Sequence, residues 1–299
     1  MRILVTGGTG FVGSNIARVL LERGDEVVIT KRDSEQNLPD FSGTTLEGDL
    51  EKINWKEAGK LDAIFHEAAI NDTTLLDAAE MTRVNVDASM RLFEYAAAGG
   101  CKKIVYASST AVYGDGPVPY RERQELRPLN PYAESKVELE KRAAEFAEAH
   151  RGTIVIGLRY CNVYGPGESH KGKRASMIYQ LAKQMQKGNP KIFKWGEQKR
   201  DYIYVKDVVA ANLLALEAKE SFVVNCGSGK ATSFNELVRI LNSLLGVSRT
   251  PEYVDNPYLA RYQNYTECDM SLAKEKLGFV PEFDIKRGVK EYLKSGTLI

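Results

Sequence analysis

The chain has 299 residues, of which 43% are hydrophobic, and its 41 lysines and arginines nearly balance 40 aspartates and glutamates. This length and composition indicate a soluble globular protein of one large or two small domains with enough apolar side chains for a core. The balanced charge excludes an overall electrostatic field that would recruit nucleic acid or an anionic membrane, so an anionic ligand must be bound by local cations.

The cysteine spacing and the start of the chain indicate a reducing compartment. No Cys-x-x-Cys pair is present, which favours reduced thiols over a disulfide framework or a zinc site. We expect buried packing roles for the four cysteines, three of which lie in or beside apolar runs: Cys101, Cys161, Cys226 and Cys268. The chain opens on a strand pattern rather than a signal peptide, and no apolar run approaches the ~18 residues of a membrane span. We therefore expect a cytoplasmic protein without a metal site.

The first predicted elements are a strand, a glycine turn and a helix. Residues Arg2 to Thr6 form a short apolar run, the glycine-rich segment Gly7 to Gly13 follows, and an apolar-periodic helix is predicted from Ser14 to Arg23. Glycines permit a tight turn and let a pyrophosphate approach the N–H groups at the helix N-terminus. The spacing satisfies both G-x-G-x-x-G and G-x-x-G-x-x-G at a strand-to-helix junction, so we predict dinucleotide binding rather than a purely structural turn.

The second predicted strand, Glu26 to Thr30, ends where a fold of this kind normally presents an acid to the ribose 2′-hydroxyl of NAD. Here Lys31 and Arg32 follow instead. Two cations suit the 2′-phosphate of NADP, and we therefore favour NADP, with NAD as the alternative. In that alternative both side chains are solvated loop charges.

Strand patterns then alternate with helical spacers along the chain. The further predicted strands are Thr44 to Glu47, Ala63 to His66, Lys103 to Ala107, Ile154 to Arg159 and Phe222 to Asn225. Such alternation predicts an α/β fold, a Rossmann-type doubly wound parallel sheet with right-handed crossovers. Ligand-binding residues gather at the carboxyl ends of such strands, which places Asp49, Ala68, Ala69, Ser109 and Asn162 on one rim. We expect His66 to be a hydrogen-bonded structural histidine and Asn85 to make a structural hydrogen bond within a helix.

A tyrosine and a lysine lie one helical turn apart after the fifth strand. Asn130 suits an N-cap and Pro131 a first helical residue, and Ala133 to His150 is rich in helix-forming residues. Tyr132 and Lys136 therefore share a helix face. A tyrosine with an ordinary pKa near ~10 exchanges protons near neutrality only if a positive group stabilises its phenolate, and Lys136 is placed to do so.

The pattern changes after Gly165, where basic residues crowd between Lys171 and Lys199 and strand alternation gives way to helical segments at Ala175 to Lys187 and Ser233 to Leu245. We expect residues 1–165, with 202–228 returning, to bind the dinucleotide. Residues 166–201 and 229–299 then form a smaller, mostly C-terminal substrate domain.

Guanidinium groups in this second part match the oxygens of a pyrophosphate, and we choose Arg200 and Arg261 for that role. The alternative for each is an ordinary surface ion pair. We expect Asp201 and Asp207 to fix local structure.

The glycine segment Gly7 to Gly13, the Ser109 to Gly114 run, and Tyr132 with Lys136 together resemble the extended short-chain dehydrogenase/reductase superfamily, whose members include NAD-dependent epimerases and dehydratases. The resemblance covers essentially the whole chain. It implies that Tyr132 is an acid/base on a sugar hydroxyl and that Lys136 holds the nicotinamide ribose and lowers the pKa of Tyr132. Ser109 would hydrogen-bond the reacting oxygen.

The resemblance also suggests which residues bind ligands. The expected cofactor-binding residues are Gly7, Gly10, Phe11, Val12, Gly13, Lys31, Arg32, Asp49, Leu50, Ala68, Ala69, Asn85, Tyr132, Lys136 and Tyr160. The expected substrate-binding residues are Ser109, Asn162, His170, Arg200 and Arg261. The expected partner is a nucleotide-diphosphate sugar. The sequence does not fix the oligomeric state, although we expect a homo-oligomer.

Within the superfamily, the His170-Lys171-Gly172 run, Lys199 to Val205 and Arg261 to Thr266 are similar to ADP-glyceromanno-heptose 6-epimerases. UDP-hexose 4-epimerases share Arg200-Asp201 but generally lack the His-Lys-Gly run. The resemblance implies transient oxidation to a keto-sugar with a tightly bound NADP, non-stereospecific return of hydride, and Lys171 as a second acid/base opposite Tyr132. A phosphate-binding or solvated Lys171 is the alternative.

Three departures from the family patterns bear on the substrate. Thr110-Ala111 stand where dehydratases carry an Asp-Glu pair, which argues against dehydration. Gly167-Glu168-Ser169 replace the usual Arg-Glu-Gly, and Lys173-Arg174 replace a usual Ser-Met. The other functions that we weigh are a UDP-hexose 4-epimerase with NAD, a noncatalytic cofactor-sensing protein and a net nucleotide-sugar oxidoreductase.

Overall fold

A computed structural model describes residues 1–32, 37–38, 40–73, 75–257 and 263–299. Its strands are β1 (Arg2–Thr6), β2 (Glu26–Lys31), β3 (Thr44–Glu47), β4 (Ala63–His66), β5 (Lys103–Ser109), β6 (Ile154–Tyr160), β7 (Asn162–Tyr164), β8 (Lys191–Phe193), β9 (Lys199–Tyr204), β10 (Phe222–Cys226), β11 (Ala231–Ser233) and β12 (Glu252–Val254). Its α-helices are α1 (Phe11–Glu22), α2 (Ala78–Thr82), α3 (Ala88–Ala98), α4 (Pro131–Ala149), α5 (Met177–Lys187), α6 (Val205–Ala215), α7 (Phe234–Leu245), α8 (Ser271–Leu277) and α9 (Ile285–Lys294).

Seven strands form one parallel sheet in the order β10-β6-β5-β4-β1-β2-β3. This is the doubly wound sheet that the sequence predicts. Strands β1 and β4 are buried on both faces, as continuous apolar runs require when helices cover a parallel sheet. The strand order reverses between β1 and β4, and a crevice therefore opens beyond their carboxyl ends.

Four strands, β2, β5, β6 and β10, run further than predicted, and the last residues of β5 and β6 belong to the candidate site. Strand β5 continues to Ser109 and β6 to Tyr160, and the parallel register pairs these two residues directly. Strand pairing thus fixes the spacing between Ser109 and Tyr160 at the rim of the crevice.

The second part of the chain contains more strand than the sequence analysis expects. Strands β11, β9 and β7 form a three-stranded sheet, and β12 pairs with β8. Most of these strands have three residues, too few for a recognisable alternation. The small sheet joins a strand before Gly165 to strands after Lys199, so it crosses the boundaries expected between the two parts.

Local packing surrounds the four cysteines and the nearby Asp201 carboxylate. All four cysteines are free and buried, as expected. Cys161, Cys268 and Asp201 lie close enough to hold an ion. However, the Asp201 carboxylate already accepts hydrogen bonds from the backbone N–H groups of Ser228, Gly229 and Cys268 at 2.7, 3.0 and 3.1 Å. The carboxylate therefore anchors a loop, the structural role that the sequence predicts for it. In the described part of the chain, no helix combines the length and the apolar surface that crossing a bilayer requires.

A buried ion pair attaches α4 to the sheet. Arg159 on β6 donates to both carboxylate oxygens of Glu140, at 2.9 and 2.6 Å, and each residue is less than a tenth exposed. Ser108 on β5 donates to the same carboxylate at 2.5 Å, and the Arg159 guanidinium also donates to the Tyr113 hydroxyl at 2.7 Å. These contacts fix the position of α4 along β5 and β6.

We predict that Arg159→Met lowers the free energy of unfolding by about 3–5 kcal/mol, because it leaves the Glu140 carboxylate buried without its partner. Arg127→Met is the matched control, since the Arg127–Glu125 pair is exposed and its removal should change the free energy of unfolding much less. Urea unfolding of both variants measures the difference. Equal, small losses of unfolding free energy in the two variants would show that the buried pair contributes no more than the surface pair. The double variant Arg159→Met/Glu140→Met should recover part of the loss, because no unpaired charge is then buried.

Candidate functional site

A cleft of about 850 Å³ opens at the carboxyl ends of the parallel strands and extends to the second part of the chain. It collects most of the residues that the sequence nominates. The nominated residues that line it are Gly7, Gly10, Phe11, Val12, Gly13, Arg32, Asp49, Leu50, Ala68, Ala69, Ser109, Tyr132, Lys136, Tyr160, Asn162, His170, Lys171 and Arg200. One cleft therefore brings together side chains from both halves of the sequence.

Two nominated residues are placed differently, and a third is not among the described residues. The Lys31 ammonium lies 3.4 Å from the Glu47 carboxylate and does not line the cleft, unlike Arg32. Asn85 is buried behind the cleft wall. Arg261 lies outside the residues that the structure describes.

The glycine turn closes on itself, and its shape leaves no room for side chains. The Gly10 N–H donates to the Gly7 carbonyl at 2.9 Å, and Gly7 has a φ of +61°. A Cβ on Gly13 would lie 2.3 Å from the Gly7 carbonyl oxygen. Helix α1 begins at Phe11, three residues earlier than predicted, so the N–H groups of its first turn lie on the cleft.

These features fit the pyrophosphate of a dinucleotide. Helix α1 has 12 residues, and no side chain caps its N-terminus. Its first N–H groups and the positive end of its dipole therefore lie beside the cleft, where an anion can be bound.

Tyr132 and Lys136 project from one face of α4 into the cleft, as predicted. The Lys136 ammonium donates to the Ala107 carbonyl at 2.8 Å and lies 5.9 Å from the centroid of the Tyr132 ring. Asn130 accepts the Ala133 N–H at 2.9 Å and caps the helix, so the first turn is fixed. Tyr132 also shares a hydrogen bond with Ser109.

The ionisation of this pair differs from the sequence expectation. Burial raises the pKa of Tyr132 above its ordinary value, the Ser109 hydrogen bond lowers it, and the Glu67 carboxylate raises it. Burial also lowers the pKa of Lys136 to about 8, against the raising effect of Glu67 and Glu140. The predicted fall in the pKa of Tyr132 is therefore absent, because burial dominates and the Lys136 ammonium is directed at a backbone carbonyl.

A buried hydrogen-bond chain holds the cleft wall after β4. The Ala68 N–H donates to the Thr6 hydroxyl at 3.0 Å, and this hydroxyl lies 2.9 Å from Nδ1 of His66. The other ring nitrogen of His66 is 2.7 Å from the Ser89 hydroxyl, which donates to the Asn85 carbonyl at 2.8 Å. Burial, with the charge of Lys136, lowers the pKa of His66 to about 3. The histidine is therefore neutral and structural, which confirms the prediction.

Asn85 extends this chain to helix α4. Its amide group accepts the Ile70 N–H at 2.8 Å and donates to the Ile70 carbonyl and the Ser135 hydroxyl, both at 3.0 Å. Ser135 in turn donates to the Tyr132 carbonyl at 2.7 Å. Asn85 thus supports the cleft through its neighbours.

Lys171 lies on a short 3-10 turn, Ser169–Arg174, that lines the cleft beside the glycine turn. Its ammonium is 5.4 Å from the centroid of the Phe11 ring. Burial lowers the pKa of Lys171, Glu168 raises it, and Arg174 lowers it. Arg174, which acts on Lys171, also lines the cleft, whereas its neighbour Lys173 is not among the residues that line it.

Glu168 closes the loop that carries Lys171. Its fully buried carboxylate accepts the Gly165 N–H at 3.1 Å, the Ser176 N–H at 2.5 Å and the Ser176 hydroxyl at 3.0 Å. The two ends of the loop are therefore held together by one side chain.

Two asparagines attach this loop to the glycine turn. The Asn15 amide donates to the Phe11 and Pro166 carbonyls, each at 2.9 Å. The Asn37 amide donates to the Thr9 and Gly167 carbonyls at 3.1 and 3.0 Å. The Lys171 loop and the glycine turn therefore form one connected wall of the cleft.

The far end of the cleft is aromatic and cationic. The Arg200 guanidinium lies 5.9 Å from the centroid of the Phe234 ring and donates to the Lys199 carbonyl at 2.8 Å. Phe193 and Tyr202 also line this end. Such a lining suits a flat base and a diphosphate.

Sequence reasoning missed several residues of this site: Glu67, Asn15, Asn37, Phe193, Tyr202 and Phe234. Glu67 is the most informative omission. It directly precedes Ala68, and strand alternation after Phe65 and His66 places it on the face that carries Phe65. This alternation could have identified Glu67 from the sequence alone.

Comparison with known proteins places this geometry in context. Residues 3–227 match the model of the NAD dependent epimerase/dehydratase family. A curated ADP-L-glycero-D-manno-heptose-6-epimerase from Alkalilimnicola ehrlichii is 34% identical, covering 97% of this chain and 96% of the relative.

Two solved structures have the same fold over nearly their whole length. The Helicobacter pylori ADP-L-glycero-D-manno-heptose-6-epimerase is 36% identical with a TM-score of 0.89, covering 98% of this chain and 95% of the other. The Thermotoga maritima UDP-glucose 4-epimerase with UDP-glucose is 31% identical with a TM-score of 0.90, covering 99% of each chain.

We predict that Gly13→Ala weakens dinucleotide binding more than tenfold, at least about 1.4 kcal/mol, because its Cβ would displace the Gly7 carbonyl and open the turn. Gly99→Ala is the matched control, since its Cβ would make only ordinary contacts of 3.5 Å. Fluorescence titration with reduced dinucleotide measures affinity, and thermal unfolding checks that both variants are folded. Unchanged affinity in a folded Gly13→Ala protein would contradict the assignment of the turn.

Proposed function

This chain belongs to the NAD dependent epimerase/dehydratase family, and on that premise we propose that it is a nucleotide-sugar epimerase that inverts a carbon of an ADP-glycero-manno-heptose. The observation that carries the proposal is the presence of two separate proton-exchanging groups, Tyr132 and Lys171, on the walls of one cleft. Similarity to the heptose epimerases over nearly the whole chain supports the choice of sugar.

We assign a nicotinamide dinucleotide to the cleft on the residues that line it. The first turn of α1, from Phe11 to Gly13, binds the pyrophosphate, and Asp49 and Leu50 border the adenine. Lys136 binds the ribose beside the nicotinamide, and Ala68 and Ala69 form the wall behind it. When bound, the dinucleotide supplies a hydride acceptor that later returns the hydride to the same carbon.

Tyr132 and Ser109 act on the oxygen of the reacting carbon. Ser109 holds this oxygen by a hydrogen bond, and Tyr132 removes its proton as a keto-sugar forms. The pKa of Tyr132 is raised in the cleft, so its phenolate needs nearby positive charge when the proton leaves.

Lys171 serves the opposite face of the sugar. Its pKa is lowered by burial and by Arg174, which brings an ammonium closer to proton exchange near neutrality. Inversion requires that each epimer be protonated and deprotonated on its own side, and we assign the second side to Lys171, which lines the cleft on a different element from Tyr132. Thr110-Ala111, in place of an acidic pair, favours epimerisation over loss of water.

The second part of the chain binds the nucleotide diphosphate. We assign the diphosphate to Arg200 and Arg261, and the sugar to Asn162 and His170. Residues 166–201 and 229–299 form this substrate-binding part, and we further propose that the protein is a cytoplasmic homo-oligomer.

A UDP-hexose 4-epimerase is the second candidate, because the Thermotoga maritima enzyme has an equally similar fold. In that case Lys171 would be dispensable. A noncatalytic sensor or a net oxidoreductase is less well supported, since Ser109, Tyr132 and Lys136 are all present on the cleft and Lys171 adds a second acid/base.

We predict inversion of ADP-heptose by the purified protein, followed by NMR of the sugar carbon, without net change in reduced dinucleotide. Lys171→Met should lower the rate at least ~100-fold, because general acid–base catalysis contributes factors of this size. Lys173→Met is the matched control and should stay near the unmodified rate, since Lys173 is exposed and is not among the residues that line the cleft.

Inversion of UDP-glucose without any effect on ADP-heptose would overturn this choice of substrate. Equal activity of the two lysine variants would instead remove Lys171 from the mechanism.

We also propose NADP rather than NAD, on the ground that Arg32 lines the cleft beyond β2. Arg32→Ser should weaken NADPH binding about tenfold or more and leave NADH binding nearly unchanged, because a charge-assisted contact with the 2′-phosphate contributes ~1.5–3 kcal/mol. Lys31→Ser is the matched control, since Lys31 pairs with Glu47. Calorimetric titration with both dinucleotides measures the ratio, and a stronger preference of the unmodified protein for NADH would contradict NADP.

A further inference from the structure

Glu168 is a fully buried carboxylate that is not among the residues lining the cleft and that the proposed mechanism does not use. One of its oxygens accepts the Gly165 N–H at 3.1 Å and the Ser176 hydroxyl at 3.0 Å, and the other accepts the Ser176 N–H at 2.5 Å. The residues between these two ends, 166–175, include Lys171. Because both oxygens belong to one rigid group, the two ends of this loop are held at a fixed separation.

Each end of the loop belongs to a well-packed part of the fold. Gly165 follows β7, and a Cβ on it would lie 2.6 Å from a methyl carbon of Val205, so the backbone packs closely on α6. Ser176 caps α5 by accepting the Tyr179 N–H at 3.2 Å, and α5 buries four residues. Glu168 therefore ties the loop both to the end of β7 and to the start of α5.

The turn that carries Lys171 has no apolar core of its own. No side chain of Ser169–Arg174 lies in the core, and the turn is interrupted at Gly172, where φ is +54°. The Lys171 N–H donates to the Glu168 carbonyl at 3.0 Å. The position of Lys171 therefore depends on the hydrogen bonds that hold the loop, and Glu168 makes them with its side chain and with its main chain.

We propose that Glu168 is a positioning residue, which holds Lys171 in place for proton exchange with the sugar by fixing both ends of the loop. The proposal rests on the function assigned above, because it concerns the second acid/base of that mechanism. It gives a reason for a carboxylate at a buried place outside the cleft, where its desolvation costs free energy.

Removal of one accepting oxygen should release one end of the loop. Glu168→Gln keeps the size of the side chain but presents an NH2 group in place of one oxygen, so the N–H groups of Gly165 and Ser176 cannot both be accepted. We expect the inversion rate to fall at least ~10-fold, because a misplacement of ~1 Å can cost a reaction on the order of 100-fold.

Asp207→Asn is the matched control, because it makes the same change in a buried carboxylate that holds a different loop. Asp207 accepts the N–H groups of Glu282 and Phe283 at 2.9 and 3.1 Å and is not among the residues that line the cleft. Thermal unfolding should show a loss of stability in both variants, whereas the rate of the folded Asp207→Asn protein should stay within ~twofold of the unmodified rate. Equal falls in rate, or no fall in Glu168→Gln, would mean that Glu168 only stabilises the fold.

Glu168→Asp separates reach from charge and is the second variant if Glu168→Gln does not fold. It keeps the carboxylate but shortens the side chain by one methylene, so the carboxylate no longer spans both ends of the loop. The rate should therefore fall in this variant too. A rate equal to that of the unmodified protein would show that the charge matters and the position does not, and the proposal would be wrong.

A double variant tests whether Glu168 acts through Lys171. In a protein that already carries Lys171→Met, the additional change Glu168→Gln should lower the rate by less than ~twofold, because the group that Glu168 positions is absent. A further fall as large as that in the single variant would show that Glu168 acts on other parts of the cleft, contrary to the proposal.

A labelling experiment without substrate separates this inference from the proposed function. Brief treatment with acetic anhydride modifies accessible amines, and mass spectrometry of peptides gives the rate at each lysine. Lys171 is half-buried, so its acetylation should become at least ~threefold faster in Glu168→Gln as the loop opens. Lys173 is exposed and serves as the internal reference, with an unchanged rate.

The two assays then distinguish the two failures. If the acetylation of Lys171 becomes faster while no nucleotide sugar is inverted by the unmodified protein, the proposed function fails and the placement of Lys171 by Glu168 stands. If inversion occurs and the acetylation of Lys171 does not change in Glu168→Gln, only the inference fails.

Discussion

The attachment of α4 to the ends of β5 and β6 is the constraint on which the cleft depends. Three residues spaced one turn apart on this helix, Tyr132, Lys136 and Glu140, face the sheet. Glu140 is fixed by Arg159, and the Lys136 ammonium by the Ala107 carbonyl. A shift of the helix by one turn would break both contacts, so the phenol has one position relative to the strand ends.

The charges of the cleft are controlled mainly by burial rather than by pairing. Burial raises the pKa of Tyr132 and lowers that of Lys136 to about 8, so each group is pushed toward its neutral form. The same cause raises the pKa of Glu67 to about 7 and lowers that of Lys171. Burial thereby separates the pKa values of Tyr132 and Lys136, which are ordinarily close, and brings those of Glu67 and Lys136 nearer to each other.

Much of the fold follows from local patterns, whereas several functional contacts do not. The strand–glycine–helix junction at Gly7 to Gly13 and the capped start of α4 at Asn130 each depend on neighbouring residues, and both are recovered from the sequence. The short strands of the small sheet depend on partners far along the chain and leave no periodic signal. Lys31 and Arg32 illustrate the same limit. They are adjacent in sequence, but Lys31 is directed to Glu47 and Arg32 to the cleft, and this difference depends on the position of β3 in the folded sheet. The rise in the pKa of Tyr132 could not be read from spacing, since it arises from burial by residues of several elements.

The two asparagines that join the Lys171 loop to the glycine turn give the cleft a shared wall. Asn15 and Asn37 connect carbonyls of the turn and of the loop, at 2.9 to 3.1 Å. A ligand that orders one of these segments therefore changes the freedom of the other. Thermodynamic linkage then makes the influence mutual and equal in size. A ligand bound at the glycine turn and a ligand bound at the Lys171 loop should therefore bind in a coupled rather than an independent manner.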